Sequence, residues 1–293
     1  ILMDKMRLVE KESPPRKVED VYVGTVGDNV SCNRTAAREI AKVYPKLLHP
    51  GCCTHVCDLL IEDICEKIPE IRELVKEIHT ASVFVKGHRL VKAAYKRLSQ
   101  HATPKGTMLC LFPHTRFSYA DLTLQQFVHN AHVLRKLIDE PRYKTETLRG
   151  IKLDKSAGFT ALCNNTSKAE QVQALRHITG PLCKMIHHLK QNKTRASWVF
   201  PMFMALQRDC DEWEKRPDVM RWFQQETIVD VRKKIQNCWL GIGKNLVPLK
   251  NDIWLVAFIF DPYYTPTSEV LYSTMDVDWF KLIRGLLAKF YQS

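Results

Sequence analysis

"VGTVGDNVSCNRTAAREIAKVYPKLLHPGCCTHVCDLL" (residues 23–60) is the stretch where the chain changes character. The overlapping segment "DVYVGTV" (Asp20 to Val26) is rich in β-branched residues and is bounded by Gly27-Asp28-Asn29, so it reads as a strand closed by a turn. "NRTAAREIAKVY" places Ala37, Ile40, Ala41 and Tyr44 on one helical face, with Pro45 as the stop. "KLLHPGC" then fits a second short strand. Strand, turn, helix and strand make a small α/β unit. Two readings of Asp28 stand side by side. It is ordinary turn chemistry, or it is a carboxylate presented at a strand's carboxyl end, where α/β folds place ligand groups.

Downstream, the period shifts from two to 3.6. "HVCDLLIEDICEKI" has apolar residues at 56, 59, 60, 64 and 68, and Pro69 suits the first position of the next helix. Gly87 divides that helix. His101 to Phe117 reads as a loop or short strand. "YADLTLQQFVHNAHVLRKLID" is amphipathic, and "KAEQVQALRHITGPLCKMIHHLKQNK" is a helix expected to break at Gly180-Pro181. Helices are also expected over "PMFMALQRDCDEWEK", "PDVMRWFQQETIVDVRKKIQNCWLGI" and "DVDWFKLIRGLLAKFY", and an apolar segment closes at Asp261-Pro262. The expected class is α+β and mostly α, with residues 1–51 forming the α/β part and 52–293 the helical body.

The 293 residues carry a formal charge of +12, spread evenly over both halves of the chain. A net excess of this size favours a polyanionic partner. From Ile78 to Ala120 there is no Asp or Glu, while Lys86, Arg89, Lys92, Lys96, Arg97, Lys105 and Arg116 all fall inside. The run reads either as a solvated helix face or as a track for a phosphate backbone. No apolar run reaches the roughly 18 residues a bilayer span needs, so no membrane partner is expected. The first residue is Ile, and residues 1–20 mix charges with "SPP", which reads as the edge of an internal fragment. The ten cysteines are scattered through apolar helical patterns, as free buried thiols are in a reducing compartment.

Cys52, Cys53, His55 and Cys57, with Cys32 upstream, are zinc-ligand types at close spacing. A structural zinc site needs a second ligand pair, and none accompanies them, so packing of a helix start is the leading reading. There is no phosphate-binding glycine loop: "GIGKN" (Gly241 to Asn245) is short and follows a helix.

In order along the chain, Val26-Gly27-Asp28-Asn29, Tyr44-Pro45, Cys52-x-x-His55, Leu59-Leu60, Asp63-Ile64, "HTRF" (His114 to Phe117) and "VPLKNDIWLVAFIFDPYY" resemble the central motifs of hAT superfamily transposases. The likeness is to the branch whose catalytic core is known as a domain of unknown function. It implies a partial RNase H-like α/β unit followed by a large helical insertion. It also implies cut-and-paste chemistry on DNA by three acids, D-D-E, that hold Mg2+ or Mn2+. Asp28 matches the second acid and is the implied metal ligand. Cys52 and His55 match the C-x-x-H pair near the active site, and Arg116 and Phe117 match the motif that steadies flanking DNA. Lys86, Arg89, Lys92, Lys96 and Arg97 would contact the backbone. The first acid belongs well upstream of Asp28 and the third to an S-E-R-like motif beyond "DPYY", so one acid of three is matched. The expectation is a nuclear DNA-binding fragment, or a degenerate or domesticated derivative, unable to cleave DNA alone and self-associating through regions outside the chain. The alternatives are a helical protein-interaction module without a DNA role and a zinc-dependent domain.

Overall fold

The computed structural model describes residues 11, 17, 24–102, 108–110, 120–191, 193–242 and 252–264. Over these the chain is mostly helical, and strand geometry is confined to two isolated parallel bridges, Gly24 with Leu48 and Gly27 with Gly51. No helix among the described residues is long and apolar enough to cross a membrane. The chain divides into two compact units.

The first unit comprises residues 1–57, 189–204 and 236–293. Its bridges flank helix α1 (Ser31–Val43), which ends at Tyr44 just before Pro45. Thr25 N–H donates to the Leu48 carbonyl at 2.9 Å, and Cys52 N–H donates to the Gly27 carbonyl at 3.0 Å. In a regular parallel ladder the rung between them would run from the N–H of residue 50 to the Thr25 carbonyl. Residue 50 is proline and has no N–H to give. The expected second strand is therefore interrupted at its middle rung and survives as two bridges. Gly24 is required where it stands, because a Cβ there would collide with the Leu48 carbonyl oxygen. The expected first strand lies partly at Asp20 to Val23, outside the described residues.

Elsewhere in this unit an aromatic cluster forms the core. Phe200, Leu255 and Phe258 are buried, with Trp239 and Tyr264 packed against them, and Phe203 stacks on Trp239 at 4.0 Å between ring centroids. The segment expected to be merely apolar is a helix (Asp252–Ile259) that packs on a 3-10 turn, Ala196–Trp198.

The second unit comprises residues 58–188 and 205–235. Helix α2 (Cys53–Lys67) runs into it and is followed by α3 (Pro69–Gly87), α4 (Arg89–Ala102) and α5 (Ala120–Asp139). Pro69 occupies the first turn of α3, and the expected division falls at Gly87, whose successor His88 caps the helix on the Phe84 carbonyl. The buried stripe of α3 (Ile71, Leu74, Val75, Ile78, Ala81, Ser82, Phe84, Val85) follows the 3.6 period. Helix α4 buries Val91, Tyr95 and Ser99 and packs on α3 and α5. A π-turn at Tyr143–Thr147 leads to helix α6 (Leu153–Asn164), which the sequence pattern did not disclose. Gly158, Ser156 and Thr160 interrupt its apolar rhythm, yet Phe159, Leu162 and Cys163 are buried, and Phe84 stacks on Phe159 at 4.6 Å.

Helix α7 (Lys168–Leu189) corrects one expectation, because it continues through Gly180 and Pro181. Proline at position 181 removes the N–H that would bond the carbonyl of residue 177. The indole N–H of Trp213 donates to that carbonyl at 3.1 Å instead. The orphaned acceptor is satisfied from outside the helix, so the helix need not end. Helices α8 (Val199–Trp213), α9 (Pro217–Met220) and α10 (Gln225–Leu240) precede α11 (Asp252–Ile259), the last helix among the described residues. The expected single helix from Pro217 to Ile242 is thus two. The helix expected over Asp276 to Tyr291 lies outside the described residues.

Candidate nucleic-acid interface and the Asp28 turn

In the first unit, the residues that follow the bridged segment form a stitched turn. The side-chain amide of Asn29, which is buried, donates to the Cys52 carbonyl at 3.1 Å. Cys52 N–H returns to Gly27, and the Asn33 amide donates to the Asp28 carbonyl at 3.0 Å. These bonds bring Asp28 and Cys52 onto adjoining backbone segments, and His55 sits in the first turn of α2. The Asp28 carboxylate is exposed and lines an open groove of about 830 Å³ with Thr25, Asn29, Ser31, Arg34 and His49. Cys52 and His55 do not line it.

Sequence reasoning passed over His49. Its Nδ1 lies 2.7 Å from the Thr25 hydroxyl, its Nε2 is buried without a partner among the described residues, and burial pushes its pKa below the usual imidazole value. No spacing rule marks a lone histidine before a proline. Its pairing with Thr25 is visible only once the bridge register is known.

The cysteine cluster separates by depth. Cys57 is fully buried in the core, and burial together with neighbouring Cys52 pushes the Cys53 thiol up to about 11. All described cysteines are free. Among the described residues no three His, Cys, Asp or Glu side chains converge in a way that could hold a metal ion.

In the second unit, α4 presents a charged face opposite its buried stripe. Arg89, Lys92 and Lys96 recur at intervals of three and four residues and are exposed. No carboxylate among the described residues pairs with any of them, nor with the half-buried Lys86 at the end of α3. Arg97 differs: its Nη2 lies 2.7 and 2.8 Å from the two carboxylate oxygens of Glu140. Arg116 and Phe117 lie outside the described residues.

Two further features of this unit are groove-like. One, of about 670 Å³ between α3 and α6, has a floor of Ala81, Phe84, Phe159 and Leu162 and a rim of Glu73, Lys76, Asp154 and Glu77, the last paired with Lys168 at 2.9 Å. The other holds His177, whose Nε2 lies 3.0 Å from Arg216 and 3.2 Å from Asp218. Burial, then the Arg216 charge, lowers the pKa of His177. Arg216 in turn holds Asp218 below the usual carboxylate range.

No protein-family model, no curated protein and no solved structure matches this chain.

Proposed function

We propose that this chain is a DNA-binding part of a hAT-type transposase, or of a degenerate or domesticated derivative, acting in the nucleus. In this reading the Asp28 turn belongs to a partial RNase H-like unit, residues 1–51, and residues 52–293 belong to a helical insertion. The observation that carries it is the face of α4, where Arg89, Lys92 and Lys96 stand exposed with no ion-pair partner among the described residues. Cations on a helix that is fixed by its buried side are suited to neutralising a phosphate backbone. Arg97 is assigned no such contact, since Glu140 already matches its charge.

The described residues do not fit a two-metal centre, because Asp28 has no converging group of ligands around it. Asp28 is the one residue that matches the family's Mg2+- or Mn2+-holding acids, so the activity proposed is binding of DNA rather than its cleavage. The apolar groove between α3 and α6, whose rim mixes Glu73 and Asp154 with Lys76, favours a second reading, a contact for another protein.

The test is a salt series of duplex DNA binding, read by fluorescence anisotropy. The logarithm of affinity should fall linearly with the logarithm of salt. Changing Arg89, Lys92 and Lys96 to Gln should flatten that slope by about 2.7, at roughly 0.9 per phosphate neutralised. Arg97→Gln should leave it nearly unchanged. A chain that fails to bind duplex DNA at low salt, or a triple variant with the parent slope, would sink the proposal.

A further inference from the structure

A second acid-free run extends from Gln171 to Arg208, where there is no Asp or Glu. Its part within the first unit carries Lys190, Lys193 and Arg195, all exposed, between α7 and the 3-10 turn. Asp261 fastens this basic segment to the end of α11. Buried Ser197 donates its hydroxyl to Asp261 Oδ2 at 2.5 Å, the Tyr263 N–H donates to Oδ1 at 3.0 Å, and the Arg195 guanidinium stands 3.7 Å from Oδ1. These contacts hold the Asp261 carboxyl below its ordinary pKa, the Ser197 bond first among them.

The aromatic residues around Asp261 divide by direction. Phe258 is buried and Tyr264 packs on the cluster with it. Phe260 and Tyr263 face outward, at 65% and 76% exposure. Two large exposed rings beside one fastened turn are an uncommon use of apolar surface. The acid between them, Asp261, keeps its negative charge and is matched by Arg195, so the positive charge this segment has to spare comes from Lys193.

We propose that Phe260 and Tyr263, on the turn that Asp261 ties to the basic 190–195 segment, form a stacking platform for single-stranded nucleic acid. Unpaired bases offer π-faces that a duplex keeps inside its stack, and flat rings accept them whatever the sequence. Lys193, exposed on the same segment, neutralises a phosphate that runs alongside. Arg195 lies close enough to the turn for its guanidinium plane to add a further stacking surface. This surface lies on the first unit and does not depend on the α4 face, which is assigned to duplex backbone.

The experiment compares the full chain with the double variant Phe260→Ala, Tyr263→Ala on labelled oligothymidylate and on a duplex of equal length. Affinity for the single strand should drop by about tenfold or more, the scale of base-on-ring stacking, while duplex affinity stays within about twofold. The paired variant Phe260→Tyr, Tyr263→Phe keeps both rings and should bind as the parent does. Three results overturn the proposal: an equal loss on both nucleic acids, no loss on either, or a parent chain that does not bind oligothymidylate. A fourth does so in favour of a protein contact: single-strand binding intact, with self-association in sedimentation abolished by the double alanine variant. Circular dichroism of each variant checks that the fold is retained.

Discussion

Pro181 and Trp213 should be coupled, although neither ring is required to touch the other for the effect. Proline inside a helix costs about 3 kcal/mol relative to alanine, partly through the carbonyl it leaves without a donor. Here that carbonyl belongs to His177, and the fully buried Trp213 supplies the missing donor at 3.1 Å. Trp213→Phe removes the donor, and an unsatisfied acceptor of this kind costs about 1–3 kcal/mol. The smaller ring also leaves unfilled volume, which adds to the loss. In a Pro181→Ala background the N–H of residue 181 returns to the same carbonyl, so the acceptor penalty disappears while the volume penalty stays. A double-mutant cycle cancels the volume part and isolates a coupling of about 1–2 kcal/mol. Urea unfolding of the four chains measures it, provided the slopes agree. Effects that add to within about 0.5 kcal/mol would refute the account of why α7 runs through its proline.

Three other outcomes are expected. Pro50→Ala should give residue 50 an amide that donates to Thr25 and is slowed in hydrogen exchange by about fivefold, the equivalent of about 1 kcal/mol; an unprotected amide would contradict the missing-rung explanation. His177 has a lowered pKa in the fold, so the unfolded chain binds its proton more readily, and stability present above the unfolded value near 6.5 should fall as the pH drops below it. His177→Gln should remove its share of that fall, leaving the share of His49, whose pKa is also lowered; thermal melts across this window read both apart from Asp218 and Asp261, whose depressed pKa values act in the more acid window below 3.8. On treatment with iodoacetamide at mildly alkaline pH, exposed Cys32 should alkylate before Cys53, whose thiol burial holds at about 11; equal rates, by mass spectrometry of peptides, would show that the start of α2 is not packed as described.

The helical body was legible because burial and period coincide. In α4 the residues at 91, 95 and 99 are spaced by four and all face inward, and Pro69 and Gly87 punctuate α3 where their backbone chemistry says they should. Where the sequence misled, one residue's partner lay far along the chain. Gly180-Pro181 is a sound local signal for a break, and it is overruled by Trp213, a donor 36 residues from the His177 carbonyl that it satisfies. Helix α6 escaped notice because its buried residues Phe159, Leu162 and Cys163 are separated by small and polar ones. The strand pair was half legible: the β-branched run pointed to it, but a proline in the partner segment decides how many rungs form. For the site, the acid-free window disclosed the α4 cations, yet only the position of Glu140 removes Arg97 from that set. Phe260 and Tyr263 share a sequence neighbourhood with Phe258 and Tyr264, and spacing alone does not say which two turn outward.

The face of α4 has an energetic consequence for the helix itself. Its first turn contains no acidic residue and begins with Arg89, so the positive end of the helix dipole meets a cation instead of an anion. Lys92 and Lys96 repel along the same side, and there is no carboxylate in the helix to offset them. Packing of Val91 and Tyr95 holds the helix in place against this electrostatic opposition. A polyanion laid along the face would relieve it, so occupancy and resistance to melting should rise together, by mass action on the folded form. The bare helix is in that sense held under self-repulsion, which a polyanion of the kind proposed would relieve by supplying counter-charge.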